Sequence, residues 1–256
     1  MIHATAIINE NAKLSESVSV GPYSIIGSEV EIGAETVIGP HVVIQGPTRI
    51  GEQNKIFQFS SIGESPQDKK YNGEPTRLIV GDRNIIREYV TFNRGTADGI
   101  GETVIGNDNL FMAYCHIAHD CIVGNNIVFA NAASLGGHVK IGDFAILGGF
   151  TTVHQFTQIG CQSLCGQGSV VTQDVPPFST AAGNRARAIG INKVGLRRKG
   201  FSVELIRALH RSFRKLLKSK VTKDEAFENL QPLCDEYPEV SEFVDFIKNS
   251  KRGIAR

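Results

Sequence analysis

Tryptophan is absent from the 256 residues, and aromatic side chains make up only 7% of them. That scarcity beside the cations argues against the stacking platforms by which nucleic acids are bound. Long apolar runs are missing too: no window approaches the ~18 consecutive apolar residues of a membrane helix. The opening MIHATAIINENAKLSES lacks a basic stretch followed by an apolar one. Stable membrane insertion and secretion are therefore not expected, and a cytoplasmic location is. Five cysteines (Cys115, Cys121, Cys161, Cys165 and Cys234) form an odd set without a CxxC pair, which argues against a disulfide framework and a thiolate zinc site and favours free, buried thiols. Acidic residues nearly vanish in one block. Residues 185–220 carry 12 Lys+Arg against 1 Asp+Glu, whereas residues 1–184 carry 10 against 17 and residues 221–256 carry 5 against 8. With 41% hydrophobic and 21% charged residues the chain is long enough for one large core, with or without a small accessory domain.

What is present is a period of six. Aliphatic residues recur at Ile8, Leu14, Val20, Ile26, Ile32, Ile38, Ile44, Ile50, Ile56 and Ile62, commonly followed by glycine. The position two before them is small or β-branched, as at Ala6, Val18, Ser24 and Thr36. A polar insertion at 64–79 interrupts the pattern, which resumes at Val80, Ile86 and Phe92; a second, at 93–104, shifts it by one residue. Twelve further hexads run from Ile105 through Ile117, Leu135 and Val153 to Val171. Neither a 3.6-residue period nor simple alternation yields a strict six, but a three-sided coil with one inward aliphatic residue per side does. Each coil takes about 18 residues, and stacking of coils supplies the stability an isolated coil lacks. Glycine after the aliphatic residue is expected where the backbone needs an unusual φ.

The hexads stop at Asp174-Val-Pro-Pro, where prolines cannot donate to a ladder. From Ser202 the period becomes helical, with Leu205, Ile206, Leu209, Phe213, Leu216 and Leu217 on one stripe. Thr222 with Glu225 reads as a capping box, Pro232 is expected to kink or split the helix that follows, and Tyr237-Pro238 opens another. The predicted architecture is an all-β left-handed parallel β-helix over 1–189, with insertions at 64–79 and 93–104, and a C-terminal α-helical domain over 190–256.

Four of the seven histidines, His116, His119, His138 and His154, fall within forty residues of unbroken coil. His138 and His154 follow His119 by 19 and 35 positions, close to one and two coils. With adjacent strands about 4.8 Å apart, these three imidazoles are expected near one edge, within roughly 10 Å of one another. Such a cluster suits acid/base work near neutral pH or a metal. In His116-Ile-Ala-His119-Asp120 a carboxylate adjoins the second imidazole and can orient it. The competing reading is a zinc enzyme like the gamma-class carbonic anhydrases, which share the prism fold.

Six segments are more telling than the repeat, and several of them bear no relation to the hexad rule: Ser61-IGESPQDKKYNGEPT-Arg77, His116-IAHD-Cys121, Gly136-GHV-Lys140, Val153-HQF-Thr157, Gln173-DVPP-Phe178 and Gly195-LRRKGFS-Val203. In these, and over nearly its whole length, the chain resembles the acyl-carrier-protein–UDP-N-acetylglucosamine O-acyltransferases, whose reaction opens lipid A synthesis. The resemblance implies transfer of a 3-hydroxyacyl chain to the glucosamine 3-position, with His119 as general base, Asp120 as its support and the Gly137 N–H as oxyanion donor. It implies substrate contacts at Asp68, Lys70, His116, His138, His154 and Gln155, and nucleotide contacts at Asn192 and Arg198. It implies no metal and no permanently bound cofactor, the acyl donor riding on the phosphopantetheine of acyl carrier protein. It also implies a homotrimer with sites between neighbouring prisms. The acidic carrier protein suits the basic block independently, through Arg185, Arg187, Lys193, Arg197, Arg198, Lys199, Arg207, Arg211, Arg214 and Lys215.

Two positions depart from the family. Gln167 stands where members accepting longer chains have glycine, so a shortened acyl pocket is expected. Val194, beside Lys193, replaces a glutamate near the nucleotide. The sibling N-acyltransferases carry a uridine-binding domain ahead of their coils, whereas hexads here begin by Ile8.

Overall fold

The computed structural model describes residues 1–256 except Lys220, the last cation of the basic block. Among the described residues three parallel sheets close into a prism, each coil giving one short strand to each face. Face one runs from Ile7–Ile8 to Val170–Val171, face two from Lys13–Leu14 to Gln158–Ile159, and face three from Ser19–Val20 to Ser179–Ala182. The hexad aliphatics point inward: Ile26, Ile44, Ile62, Ile117, Leu135 and Leu147 are all buried. Inside, Phe111 packs against Phe92 and Phe129 with ring centroids 4.9 Å apart in both pairs.

Register explains where the insertions emerge. Ile117 pairs with Leu135 and Leu135 with Val153, a coil of 18. Ile62 pairs instead with Phe92, and Phe92 with Ile117, steps of 30 and 25. Both insertions therefore leave face one and re-enter face two, emerging at the same corner, here corner one. Strands Ser61–Glu64, Arg77–Val80 and Glu102–Ile105 claim residues at their edges, so the loops proper are 65–76 and 94–101, narrower than the sequence suggests.

Among the recurrent glycines Gly63 has the expected unusual dihedral, φ +79°, but at Gly21 and Gly33 the reason is different. Positive φ falls three positions after the aliphatic residue, at Tyr23, Glu35, Asp120, His138 and Phe156 among others, not on Gly21 or Gly33. A Cβ at Gly33 would come within 2.7 Å of the Gly51 backbone in the next coil. Glycine is thus required there for close stacking of corners rather than for dihedral freedom.

The coil also outruns its hexads. Past Pro176 and Pro177, Ser179–Ala182 still pairs in parallel with Leu164–Cys165, and Arg187–Ile191 returns antiparallel to it. Among the described residues four helices follow: α1 (Lys193–Arg198), α2 (Val203–Leu217), α3 (Lys223–Glu236) and α4 (Pro238–Asn249). Ser202 and Thr222 cap α2 and α3 by accepting from Leu205 N and Glu225 N. The α2 stripe of Leu205, Ile206, Leu209, Phe213, Leu216 and Leu217 is buried. Pro232 does not split α3, which continues through it as one element packed on α2 and α4. All five cysteines are free; Cys115, Cys121 and Cys165 are buried, and burial pushes each of these thiols up to about 12.

Candidate active site

His116, His119, Asp120, His138 and His154 all lie at or beside corner one. His119 Nδ1 lies 2.8 Å from Asp120 Oδ2. Asp120 is 3% exposed, and the loop 94–101 folds over it. Oδ1 accepts from the N–H groups of Thr96 and Ile100 at 3.1 and 3.0 Å, and Oδ2 accepts from the Thr96 hydroxyl at 2.6 Å. Thr103 Oγ1 accepts from the Asp120 N–H at 2.8 Å, and a Cβ on Gly99 would strike the carboxylate at 2.3 Å. Burial opposes the charged carboxylate, but the Thr96 hydroxyl, His119 and the two N–H groups overcome it, so the carboxyl sits below its ordinary 3.8. An ionised Asp120 can only accept. The proton on His119 therefore resides on Nδ1, and Nε2 keeps its lone pair.

The offset of 19 rather than 18 decides what His138 does. Gly137, not His138, stands one coil above His119, and a Cβ there would meet the imidazole at 2.6 Å. His138 stands above Asp120 instead, its Nε2 3.8 Å from Asp120 Oδ2 and its ring edge-on to His119 at 5.1 Å between centroids. Its other face stacks on Phe156 at 4.3 Å. Burial lowers the pKa of His138, against the opposing charges of Asp120 and of Asp68 on the 65–76 loop. His116 bonds Thr91 Oγ1 through Nδ1 at 2.7 Å, and burial, then the nearby His119, lowers its pKa.

His154 lies at the same corner but bonds a different partner. At 35 positions it falls one short of two coils, and its Nδ1 meets Arg252 Nη2 at 2.8 Å instead of either imidazole. The remaining expected residues are dispersed. Lys70 is exposed on the 65–76 loop, its N–H bonded to Asp68 Oδ1 at 3.0 Å. Gln155 is exposed at corner one and Gln167 at corner three, between faces three and one. Asn192 caps α1, accepting from Gly195 N at 3.1 Å and donating to Gln162 O at 3.0 Å beside corner two, with exposed Arg198 at the far end of that helix.

Thr96, Thr103 and Gly99 went unnoticed in the sequence. A count of hexads could have found them: Phe92 and Ile117 fall on the same face, so the 93–104 insertion must overlie His119's corner.

His119, Asp120 and His138 hold donor atoms within 4.8 Å of one another. They do not form the zinc set of the competing reading, because Asp120 has its lone pairs engaged by Thr96, Ile100 and His119, and His154 is bonded to Arg252. The arrangement is that of one imidazole oriented by a buried carboxylate.

The hexapeptide pattern described as "Bacterial transferase hexapeptide (six repeats)" matches residues 11–46 and 102–137. Together with the prism, this places the chain in the class of hexapeptide-repeat proteins. Residues 174–255 match "Udp N-acetylglucosamine O-acyltransferase; Domain 2". An acyl-[acyl-carrier-protein]–UDP-N-acetylglucosamine O-acyltransferase from Halorhodospira halophila is 55% identical over 100% of this chain and 99% of its own length. One of the same name from Thiobacillus denitrificans is 52% identical over the same shares. The solved structure of LpxA from Acinetobacter baumannii superposes with a TM-score of 0.96 at 45% identity, covering 100% of this chain and 99% of that one. The chain belongs to the acyl-[acyl-carrier-protein]–UDP-N-acetylglucosamine O-acyltransferase family, and the carbonic anhydrase reading has no support.

Proposed function

We propose that the protein transfers a 3-hydroxyacyl chain from acyl carrier protein to the glucosamine 3-position of UDP-N-acetylglucosamine, the step that opens lipid A synthesis. One observation carries the reading: Asp120 engages His119 through Nδ1, which leaves Nε2 to act as the acceptor. In the reaction His119 Nε2 takes the proton of the sugar hydroxyl as that oxygen attacks the thioester carbonyl. The Gly137 N–H, which bonds no other described residue, faces the oxyanion. The C–S bond then breaks, and the phosphopantetheine thiolate recovers the proton from His119. Asp120 supports the imidazolium that forms between these steps.

Asp68, Lys70, His116, His138, His154 and Gln155 contact the substrates around corner one, and Asn192 and Arg198 the nucleotide. Gln167 limits the acyl chain. These residues are spread over all three corners of one prism, so a single copy cannot bring them together. Neighbouring copies can, which supports a homotrimer with sites between prisms. Arg207, Arg211, Arg214 and Lys215 share an exposed face of α2, suited to the acidic carrier protein. No bound cofactor is needed, because the donor brings its own phosphopantetheine. No described helix is long and apolar enough to cross a membrane, consistent with a reaction in the cytoplasm.

The test is acyl transfer to UDP-N-acetylglucosamine from a ladder of 3-hydroxyacyl carrier proteins. The wild type is expected to form 3-acylated sugar nucleotide, preferring shorter donors, and His119→Ala to lose about 10²–10⁴ in kcat. Unimpaired turnover in the variant would move the base elsewhere.

A further inference from the structure

The C-terminal tail returns to the prism. Asp174 N donates to Gly253 O and Ala255 N to Asp174 O, both at 2.9 Å, and Ala188 N donates to Ala255 O at 2.9 Å. The Asp174 carboxylate accepts from Gln158 N at 2.8 Å and from Ser250 Oγ at 2.6 Å. Ile254 and Ala255 are buried. The Gln173-Asp174 segment after the last hexad is thus a dock for the tail, which fixes the point from which Arg252 projects.

From there Arg252 spans two coils. Its Nε donates to Thr172 O at 2.8 Å and its Nη2 reaches His154 Nδ1 at 2.8 Å, residues 18 positions apart and so stacked at corner one. The same guanidinium lines a cavity of about 500 Å3 with Asp120, His138, Phe156 and Lys251. A guanidinium can only donate, so Nδ1 of His154 must accept. The Gln155 carbonyl, 3.1 Å from that nitrogen, would select the opposite tautomer, and the shorter contact from a cation prevails. His154 then carries its proton on Nε2. This arrangement is the inverse of His119, whose Nδ1 carries the proton and whose Nε2 accepts.

We propose that Arg252 is a positioning residue for the transfer reaction: by holding His154 in the Nε2–H tautomer, it makes that imidazole a hydrogen-bond donor toward the sugar nucleotide. The proposal rests on the reading that His154 contacts the substrate. Two imidazoles at one corner are thereby set to opposite roles, one by a carboxylate beside it in the chain and one by a cation 98 residues away.

The test is a double-mutant cycle of Arg252→Ala and His154→Ala in the full chain, with KM for UDP-N-acetylglucosamine, kcat and Tm read for each variant. Arg252→Ala is expected to raise KM about fivefold to tenfold with kcat within about twofold, and to add less than about twofold once His154 is alanine. Arg252→Lys should recover part of the affinity, since it restores a donor. An unchanged KM in Arg252→Ala, beside a raised KM in His154→Ala, would overturn the proposal and leave the His154 reading standing. No effect of either variant on KM would remove the His154 reading and the proposal with it. A full Arg252 effect without His154 would mean that the guanidinium acts directly, and a loss confined to Tm would reduce the tail to a strap. If Arg252→Ala does not fold, Arg252→Gln, which keeps a donor for Thr172 O, is read by the same criteria.

Discussion

Single residues at corner one are set by what they stack on. Asp120 works as an acceptor because the loop above it spends its donors there, and His138 is held between Asp120 and Phe156. His116 offers a thermodynamic check. Its pKa is lowered from 6.5 by burial and by His119, so in the folded state it resists a proton that the unfolded chain accepts. The unfolded state binds more protons as pH falls below 6.5, and stability is lost over that window, fully present above it. The Tm of the wild type is expected to fall as pH drops from 6.5, and His116→Asn to flatten part of that slope. Parallel profiles for the two proteins would show that His116 carries none of it.

At the level of the strand and corner, one face supplies one inward aliphatic residue and one turn, and adjacent corners touch backbone to backbone. Gly33→Ala puts a methyl within 2.7 Å of Gly51, and neither backbone can yield without disturbing two coils. A loss of about 1–3 kcal/mol in urea unfolding is expected; an unchanged midpoint would mean that the corners are not close-packed. The period of six, the twelve-hexad run and the α2 stripe were all visible in the residues, because each repeats a local rule. The glycine's role was not, because it depends on a neighbour 18 positions away. The same holds for Thr96 and Gly99, whose partner Asp120 lies beyond an insertion of irregular length.

Across the whole molecule, charge is divided. The first 184 residues are acidic, with 10 Lys+Arg against 17 Asp+Glu, and the cations gather on the helical end, where burial and then the charges of Lys193 and Arg214 lower the pKa of His210. Long-range attraction of an acidic donor is screened beyond about 10 Å at ~0.1 M salt. kcat/KM for the acyl carrier protein donor is therefore expected to fall severalfold between about 50 mM and about 500 mM salt. Arg211→Glu should lower it at the lower salt. The same acyl chain on free phosphopantetheine should respond to neither change; an equal response would mean that α2 does not receive the carrier protein.

The sequence by itself determined the coil, its 18-residue length, the helical end and the pairing of His119 with a carboxylate, since His119 and Asp120 are neighbours in the chain. Only the tertiary structure decided which imidazoles meet. His138 and His154 miss whole multiples of 18 by one residue in opposite directions, and a corner turns sharply enough that one residue changes the neighbour. So His138 lies over Asp120, while His154 faces outward to Arg252, a partner supplied by a tail whose path no local rule could trace. Periodicity can be counted along a chain; contacts between segments far apart follow from packing, where each position is fixed by everything stacked beneath it.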